Sequence, residues 1–381
     1  MIHIKNKKDC CGCGACAQRC PRHCITMQSD KEGFLYPAVD TKQCSNCGLC
    51  EKVCPVINQQ PVQAPIATYA ATNSNETVRE QSSSGGIFTL LAEETINNGG
   101  IVFGAAFNEK WEVEHILVDN TTDLKRLRGS KYVQSNVGNS YTVAEKFLKD
   151  GKEVLFSGTP CQIAGLKRFL RKEYKNLKTV DFVCHGVPSP WVWKKYLGEV
   201  CHANNIENIT DIQFRNKAEG WKKFSLQITY TGNDGKERIF REPLNENLYM
   251  RCFLGDLCLR PSCYSCPARS GKSGSDFTIA DLWGAQDICP EIDDDKGLSL
   301  VLVRKECTLP PFKKTEIPYS EAQKYNPSIE RDVQVPLKRR KFFRKIRKLD
   351  VCKATIQCTE KSKLSLLWKK IVWNIKNRLL R

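Results

Sequence analysis

The chain has 381 residues, 21 of them cysteines, and a formal net charge of +17. This length accommodates two or three domains, and 41% hydrophobic with 27% charged residues excludes a globally disordered chain. Because no run of 18 apolar residues occurs and residues 1–5 lack a signal-peptide core, we expect a cytoplasmic protein without a transmembrane helix. In such a reducing compartment, 21 cysteines indicate metal or redox chemistry rather than disulfides.

Two copies of one cysteine pattern, Cys-x2-Cys-x2-Cys-x3-Cys-Pro, occupy the first 55 residues. In tight loops of this kind three thiolates hold three irons of a 4Fe-4S cluster, and the fourth thiolate crosses to the other cluster. We therefore predict a first cluster on Cys10, Cys13, Cys16 and Cys54. A second cluster is predicted on Cys20, Cys44, Cys47 and Cys50.

Zinc in paired Cys-x2-Cys sites is the alternative interpretation of this segment. Zinc takes four ligands per site, and that leaves the third cysteine of each loop and the Cys-Pro ending unexplained. Cys11 and Cys24 fall outside the pattern and are predicted to be small buried residues rather than ligands. Residues 1–60 resemble the bacterial two-cluster ferredoxin domain.

Strand and helix patterns alternate from residue 66 onward, after a predicted linker at 58–65. This alternation indicates an α/β domain with a β-rich antiparallel insertion. Strands are predicted at 66–73, 101–107, 111–118, 153–156, 178–183, 209–215, 224–231, 237–241, 277–280 and 299–303. Helices are predicted at 84–98, 141–149, 162–172 and 190–203.

A run of small residues, Ser82-Ser83-Ser84-Gly85-Gly86, opens the first of these helices. Small residues there leave N–H groups free at the positive end of the helix dipole, which suits a phosphate or pyrophosphate. An ordinary serine N-cap is the alternative.

Two cysteines each follow a predicted strand and precede a helix. Cys161 comes after Pro160 in the first helical turn, where a helix N-terminus lowers a thiol pKa and favours a metal ligand or nucleophile. Cys184 follows the next strand, beside His185. His185 is a weak candidate for a proton donor, with a hydrogen-bonded structural histidine as the alternative, and a buried structural cysteine is the alternative for Cys161.

A further Cys-x2-Cys pair, Cys263 and Cys266, occurs later in the chain. Together with the two cysteines at the strand ends it supplies four thiolates, enough for a third 4Fe-4S cluster. Cys252 and Cys258 compete for the same role. The cysteines without partner spacing, predicted to be inert, are Cys201, Cys289, Cys307, Cys352 and Cys358.

Residues 81–88, 127–135, 156–165, 183–190 and 260–284 together resemble the coenzyme F420 hydrogenase/dehydrogenase beta-subunit family. Members of this family join a two-cluster ferredoxin segment to a flavin-binding α/β domain. The resemblance implies a bound flavin, expected to be FAD, with an iron–sulfur cluster beside it. The residues that it assigns to the flavin phosphates are Ser83, Ser84, Gly85, Gly86 and Lys131, although Lys131 could also be a surface lysine. Nothing in the sequence identifies a deazaflavin pocket.

Positive charge is concentrated near the end of the chain. Residues 337–381 hold 16 basic and two acidic residues, a balance of +14, so the other 336 residues carry +3. Residues 364–379 have helical periodicity with a basic face, which suits an anionic membrane surface. A helix packed on the protein body is the alternative. Nucleic acid is disfavoured because no base-reading module accompanies the charge.

The sequence therefore predicts three parts: a ferredoxin-type domain at 1–60, a mixed α/β flavin-binding domain at 66–335, and a basic helical tail at 336–381. We expect an iron–sulfur flavoprotein oxidoreductase, cytoplasmic or peripheral at the inner face of the membrane, with an unidentified substrate and a ferredoxin-like or other redox partner. An electron-transfer beta subunit with no substrate of its own is the alternative, and a structural iron–sulfur or zinc scaffold is the third hypothesis.

Overall fold

The structure is a computed structural model in which residues 1–306 and 311–359 are described. Cys307 and the amphipathic stretch at 364–379 therefore lie outside the described residues. Within the described ranges, every helix is too short or too polar to cross a lipid bilayer.

The N-terminal segment is a small unit in which the sequence repeat is also a structural repeat. Gly14 and Gly48 both adopt left-handed backbone angles, with φ of 74° and 71°, and each precedes a helix of four residues. Glycine adopts this conformation without steric cost, so both loops turn in the same way. The elements of this unit are α1 (Ala15–Gln18), β1 (Ile25–Ser29), β2 (Leu35–Val39) and α2 (Leu49–Lys52), with β1 and β2 antiparallel.

The body of the chain is built on an eight-stranded mixed sheet. Its strands are β3 (Ala67–Thr72), β4 (Ile101–Phe107), β5 (Val113–Val118), β6 (Val154–Ser157), β7 (Leu177–Phe182), β11 (Phe277–Asp281), β12 (Ser299–Val303) and β13 (Lys313–Glu316). A separate antiparallel meander consists of β8 (Ile209–Asn216), β9 (Ser225–Thr231) and β10 (Glu237–Pro243). The helices of the body are α3 (Glu76–Glu80), α4 (Ile87–Asn97), α5 (Ser140–Lys149), α6 (Pro160–Leu170), α7 (Pro190–Asn204), α8 (Leu248–Leu254), α9 (Ala285–Ile288), α10 (Tyr319–Tyr325), α11 (Arg339–Lys345) and α12 (Val351–Thr359).

The order of strands across the large sheet is β13-β3-β12-β11-β7-β6-β4-β5. The four central strands, β11, β7, β6 and β4, are parallel to one another, and each outer strand is antiparallel to the strand with which it pairs. Val154, Leu155 and Phe156 of β6 are fully buried, as expected for a strand covered on both faces. Parallel strands present their carboxyl ends at one edge, so the loops after β6, β7 and β11 meet there.

The N-terminal unit shares a hydrophobic core with the body. Cys13 and Val53 pack in one cluster with Tyr141, Phe156 and Phe169. The unit is therefore docked on helices α5 and α6 rather than separated from them by the segment 58–65.

Residues beyond the predicted boundary at 336 belong in part to the core. Phe342 and Ile346, at the end of α11, are fully buried, and so is Val351 of α12. They pack in one cluster with Trp193 of α7 and Tyr249 of α8. The segment predicted to be a basic tail thus supplies two packed helices as far as Thr359.

The predicted fold class is confirmed: the molecule is mixed α/β, with a small N-terminal unit and a β-rich insertion. Every strand and helix predicted for residues 66–303 is present, with ends displaced by at most three residues. Helices α11 and α12 fall within the predicted helical tail, whereas the sequence reasoning missed β1, β2, β13 and the short helices α1 to α3 and α8 to α10. These elements are short, so their hydrophobic patterns span too few residues to be read without their partners.

Candidate functional site

One small cavity near the N-terminus is lined by the four cysteines predicted for the second cluster, here called the second group: Cys20, Cys44, Cys47 and Cys50. Cys24 lines the same cavity, and its Sγ lies 3.4 Å from Sγ of Cys20. The backbone N–H of Ile2 donates to Sγ of Cys50 at 3.2 Å. Because Cys47 is exposed, this group reaches the protein surface.

The first group contains the cysteines predicted for the first cluster: Cys10, Cys13, Cys16 and Cys54. Three of them are buried and Cys10 is half-buried. Burial, followed by the nearby Cys10 and Cys54, raises the pKa of Cys16 to about 12. Burial also raises the pKa of Cys54, and Cys10 adds to the effect. Thiols crowded in this way cannot all ionise unless a cation compensates them, which is the donor chemistry that a metal cluster requires.

The structure also brings together the third group, Cys161, Cys184, Cys263 and Cys266. Burial raises the pKa of Cys184 well above its usual range, and the neighbouring Cys263, Cys161 and Cys266 raise it further. Burial and Cys161 raise the pKa of Cys266 to about 11. Cys161 and Cys184 follow β6 and β7, while Cys263 and Cys266 come from the turn at Pro261–Ser265. The carboxyl edge of the sheet and one later turn therefore assemble four thiols that suit a metal cluster.

The environment of Cys161 differs from the sequence expectation in one respect. A contact with the Cys11 thiol, together with burial, raises the pKa of Cys161 well above its usual value. The helix N-terminus was expected to lower this pKa, but Cys161 is half-buried against another thiol, and both burial and the neighbouring thiol oppose its ionisation. Cys161 therefore suits a metal ligand better than a free nucleophile.

The described residues contain no three His, Cys, Asp or Glu side chains arranged to hold one metal ion. A mononuclear zinc site draws its ligands to about 2.3 Å from a single atom. A 4Fe-4S cluster instead takes one thiolate on each of four irons, so its ligands do not converge on one point. This arrangement is compatible with 4Fe-4S clusters on the three cysteine groups.

The two cysteines outside the repeat are buried, at 3% exposure for Cys11 and 5% for Cys24. Each nevertheless lies against a predicted ligand. Cys11 contacts both Cys13 of the first group and Cys161 of the third, and Cys24 contacts Cys20 of the second. Cys11 thus marks the point where the first and third groups approach each other.

A cavity of about 680 Å³ opens beside the third group, and Cys184 and His185 form part of its wall. This volume is in the range of pockets that hold a cofactor or drug-sized ligand. The Ser-rich turn and the loop at 128–131 also line it. The cavity therefore contacts both a predicted phosphate-binding turn and a cysteine of a predicted cluster.

Four of the five residues assigned to flavin phosphates line this cavity: Ser83, Ser84, Gly86 and Lys131. Gly86 has φ of 84° and precedes α4 without a side-chain cap. Ser83 Oγ accepts a hydrogen bond from the Ser130 N–H at 2.7 Å, which joins the two loops. Gly85 instead packs against the sheet, because a Cβ there would lie 2.4 Å from the Ala71 carbonyl oxygen.

Lys131 is turned toward its own loop. Its Nζ donates to the carbonyl oxygens of Arg128 at 3.0 Å and Gly129 at 3.2 Å. Burial lowers the pKa of Lys131 to about 8. An anion in the cavity would favour its charged form.

His185 is held by a carboxylate at the cavity wall. Its Nε2 lies 2.6 Å from Oδ1 of Asp256, and its ring meets the edge of Phe253 at 5.2 Å. This pair fixes the orientation of the imidazole beside Cys184. The arrangement is compatible with both interpretations of His185, as a proton donor and as a hydrogen-bonded structural residue.

Two further cavity residues were missed from the sequence. His115 is buried, its Nε2 donates to the Ser157 carbonyl oxygen at 3.0 Å, and burial lowers its pKa to about 4. Arg215 pairs with both carboxylate oxygens of Asp281, at 2.7 and 3.1 Å. Their partners lie far away along the chain, so no local motif could have identified them.

Comparison with known proteins matches the same parts of the chain that carry the sequence motifs. Residues 68–140 match the family model for the N-terminal part of the coenzyme F420 hydrogenase/dehydrogenase beta subunit, and residues 151–317 match the model for its C terminus. Residues 9–58 match the 4Fe-4S dicluster domain. The resemblances drawn from the motifs are therefore confirmed.

Among solved structures, the chain is similar to one from the xenon-derivatized F420-reducing [NiFe] hydrogenase complex of Methanosarcina barkeri. The two sequences are 14% identical, and the alignment covers 70% of this chain and 90% of the other, with a TM-score of 0.46. No curated protein matches the chain.

The contact between the first group and α6 leads to a prediction about Gly165. A Cβ there would lie 2.8 Å from Cβ and 2.9 Å from Sγ of Cys13. We expect Gly165→Ala to destabilise the protein by about 1–3 kcal/mol through overpacking and to lower the iron content. Gly198→Ala in α7 is the matched control, since nothing lies within 4 Å of its added Cβ. It should stabilise the helix by about 0.5–1 kcal/mol. Thermal unfolding and iron analysis check both variants, and equal behaviour would contradict the contact.

Proposed function

Since the chain belongs to the coenzyme F420 hydrogenase/dehydrogenase beta-subunit family and carries a 4Fe-4S dicluster domain, we propose that it is an iron–sulfur flavoprotein oxidoreductase. One observation supports this proposal above the others: the third group lies between the first group and the cavity. Cys161 contacts Cys11, which contacts Cys13, and Cys184 lines the cavity. Its substrate remains to be identified.

In this proposal the three cysteine groups hold three 4Fe-4S clusters, and the cavity holds FAD. Ser83, Ser84, Gly86 and Lys131 would contact its phosphates at the open N-terminus of α4. When bound, the clusters carry single electrons and the flavin exchanges one or two, so the protein can couple one-electron carriers to a two-electron substrate. The chain supplies position, exclusion of water and electrostatics.

The second group is the proposed contact point for a redox partner, because Cys47 is exposed while the other two groups are buried or half-buried. His185 is our candidate proton donor for a substrate in the cavity. Asp256 would hold its ring in place.

The second candidate function is an electron-transfer subunit that reduces no small molecule itself. It is favoured by the description of the matched family as a beta subunit. A stable partner on co-purification, with no turnover by the isolated chain, would favour this function. Turnover of a small substrate by the isolated chain would exclude it.

The iron content distinguishes the cluster proposal from a scaffold or zinc protein. Protein purified without oxygen should contain about twelve irons per chain, acid-labile sulfide and a flavin absorption band. Cys161→Ser should remove about four irons and leave the N-terminal clusters. Cys201→Ser should leave the iron content unchanged, since burial, and no neighbouring cysteine, raises the pKa of that thiol. An unchanged iron count in Cys161→Ser would refute the third cluster, and zinc without sulfide would refute all three.

Flavin affinity should depend on pH through Lys131. Its pKa near 8 means that the ammonium is present below pH 8 and is lost above it in the free protein. Phosphate favours the charged form, so flavin binding above pH 8 must take up a proton and weakens as pH rises. We expect FAD affinity, followed by flavin fluorescence on refilling the flavin-free protein, to fall several-fold from pH 7 to 9. Lys131→Met should bind weakly with no such pH dependence, and the exposed Lys125→Met should match wild type. If FMN binds with the same pH profile, the flavin assigned to the cavity changes from FAD to FMN.

The C-terminal stretch is proposed to contact an anionic membrane surface. Because α12 ends at Thr359, a truncation after this residue removes the amphipathic stretch and leaves the packed helices. The truncated protein should keep its iron and lose binding to vesicles that contain anionic lipid, measured by co-sedimentation. Retained binding would refute the membrane proposal.

A further inference from the structure

Arg260 is a completely buried cation between the first and third cysteine groups. Its side chain has no exposed surface. Its Nε donates to the Cys10 carbonyl oxygen at 2.8 Å, and one Nη lies 3.6 Å from Sγ of Cys10. It also precedes Cys263 by only three residues, on the turn that carries the third group.

The remaining contacts of Arg260 hold its guanidinium in one orientation. One Nη donates to Oε1 of Gln134 at 3.0 Å, and the other to the Leu35 carbonyl oxygen at 2.8 Å. The cation lies 4.3 Å from the ring centre of Tyr36. Gly12 approaches so closely that a Cβ there would lie 2.7 Å from a guanidinium nitrogen. This part of the N-terminal unit is therefore fitted around the charge.

No carboxylate in the described part of the chain forms an ion pair with Arg260. Arg339 and Arg269, which are also buried, contact Glu32 and Asp332 respectively. A buried cation without a counter-charge is costly, so Arg260 needs anions other than carboxylates. The sulfur within its reach is Sγ of Cys10 at 3.6 Å, and the Arg260 carbonyl oxygen accepts a hydrogen bond from the Cys263 N–H at 2.9 Å, which places the cation beside both cysteine groups.

We propose that Arg260 supplies a positive charge shared by the first and third clusters and raises the reduction potential of both. This inference rests on the proposed function, since it presumes that the two groups hold clusters. Reduction adds one negative charge to a cluster, and a fixed cation nearby stabilises the reduced form. The same charge compensates both clusters, so Arg260 is a positioning and tuning residue rather than a ligand.

The second group provides a control within the same molecule. The contacts of Arg260 that the structure describes go to Cys10, Gln134, Leu35 and the Tyr36 and Phe34 rings, and none goes to a cysteine of the second group. The potential of the second cluster should therefore not depend on this residue. Arg79→Gln is the matched control variant, because its guanidinium is also buried but is compensated by Asp294, and its described contacts involve no cysteine.

The test is a potentiometric titration of the anaerobically purified holo-protein, followed by electron paramagnetic resonance. Signals are assigned by their loss in Cys47→Ser and Cys161→Ser. Arg260→Gln should lower the reduced-to-oxidised ratio of the first and third clusters about tenfold at a fixed potential, equal to ~59 mV for one electron. Arg260→Lys, which keeps the charge, should recover most of this loss. The second cluster, and all clusters of the Arg79→Gln protein, should match wild type.

Several outcomes would overturn the role of Arg260. These are an unchanged first cluster in Arg260→Gln, an equal shift of all three clusters, or the same shift in Arg79→Gln. If Arg260→Gln does not retain iron, retention by Arg260→Lys supports the charge and loss by both variants refutes it. Failure of the proposed third cluster is separately visible as about eight irons in wild type, and the first cluster then still decides the role of Arg260.

Discussion

The organising constraint in this protein is that buried thiols must be compensated by positive charge. Burial raises the pKa of Cys16 and Cys263 to about 12, and it raises the pKa of Cys184 well above its usual range. Burial of this kind opposes the ionisation of a thiol unless a cation lies beside it. In the proposed clusters iron would supply that cation to ligands positioned by the fold, which would couple metal binding to folding.

This constraint explains why the N-terminal unit is not an independent appendage. Cys13 packs against Gly165 of α6, the helix that begins beside Cys161. Gln134 donates to the Cys11 carbonyl oxygen and accepts from Arg260, so it links both groups. Electron transfer between clusters depends on a short, fixed separation. Packing of the shared core would fix that separation, and the segment 58–65 is itself held to the body by Gln63, whose N–H donates to the Ser270 carbonyl oxygen at 3.2 Å.

The N-terminal ligands could be predicted because their geometry is local. Three cysteines in one loop, repeated once, restrict the metal chemistry before any tertiary contact is known. The third group could be predicted for a different reason, since adjacent parallel strands bring the residues after them to one edge. The contacts of Arg260 with Cys10 and of Arg215 with Asp281 could not be predicted, because they join distant segments whose docking no local pattern records. Gly85 shows a different problem. It lies in a turn that resembles a phosphate-binding turn, but the close carbonyl oxygen of Ala71 already requires a glycine at this position.

The distribution of charge follows from the same constraint. The C-terminal excess of +14 divides into +8 on residues 337–359, which pack on the body, and +6 on residues 360–381. Each proposed cluster with its four thiolates adds about −2, so three would lower the net charge from +17 to about +11. Arg339, in the packed segment, binds both carboxylate oxygens of Glu32 in the turn between β1 and β2. It also donates to the Leu259 carbonyl oxygen, one residue before Arg260. Part of the positive charge that appeared to mark a tail therefore fastens the cluster-bearing unit to the body, and the part beyond Thr359 is the part left for a membrane or a partner.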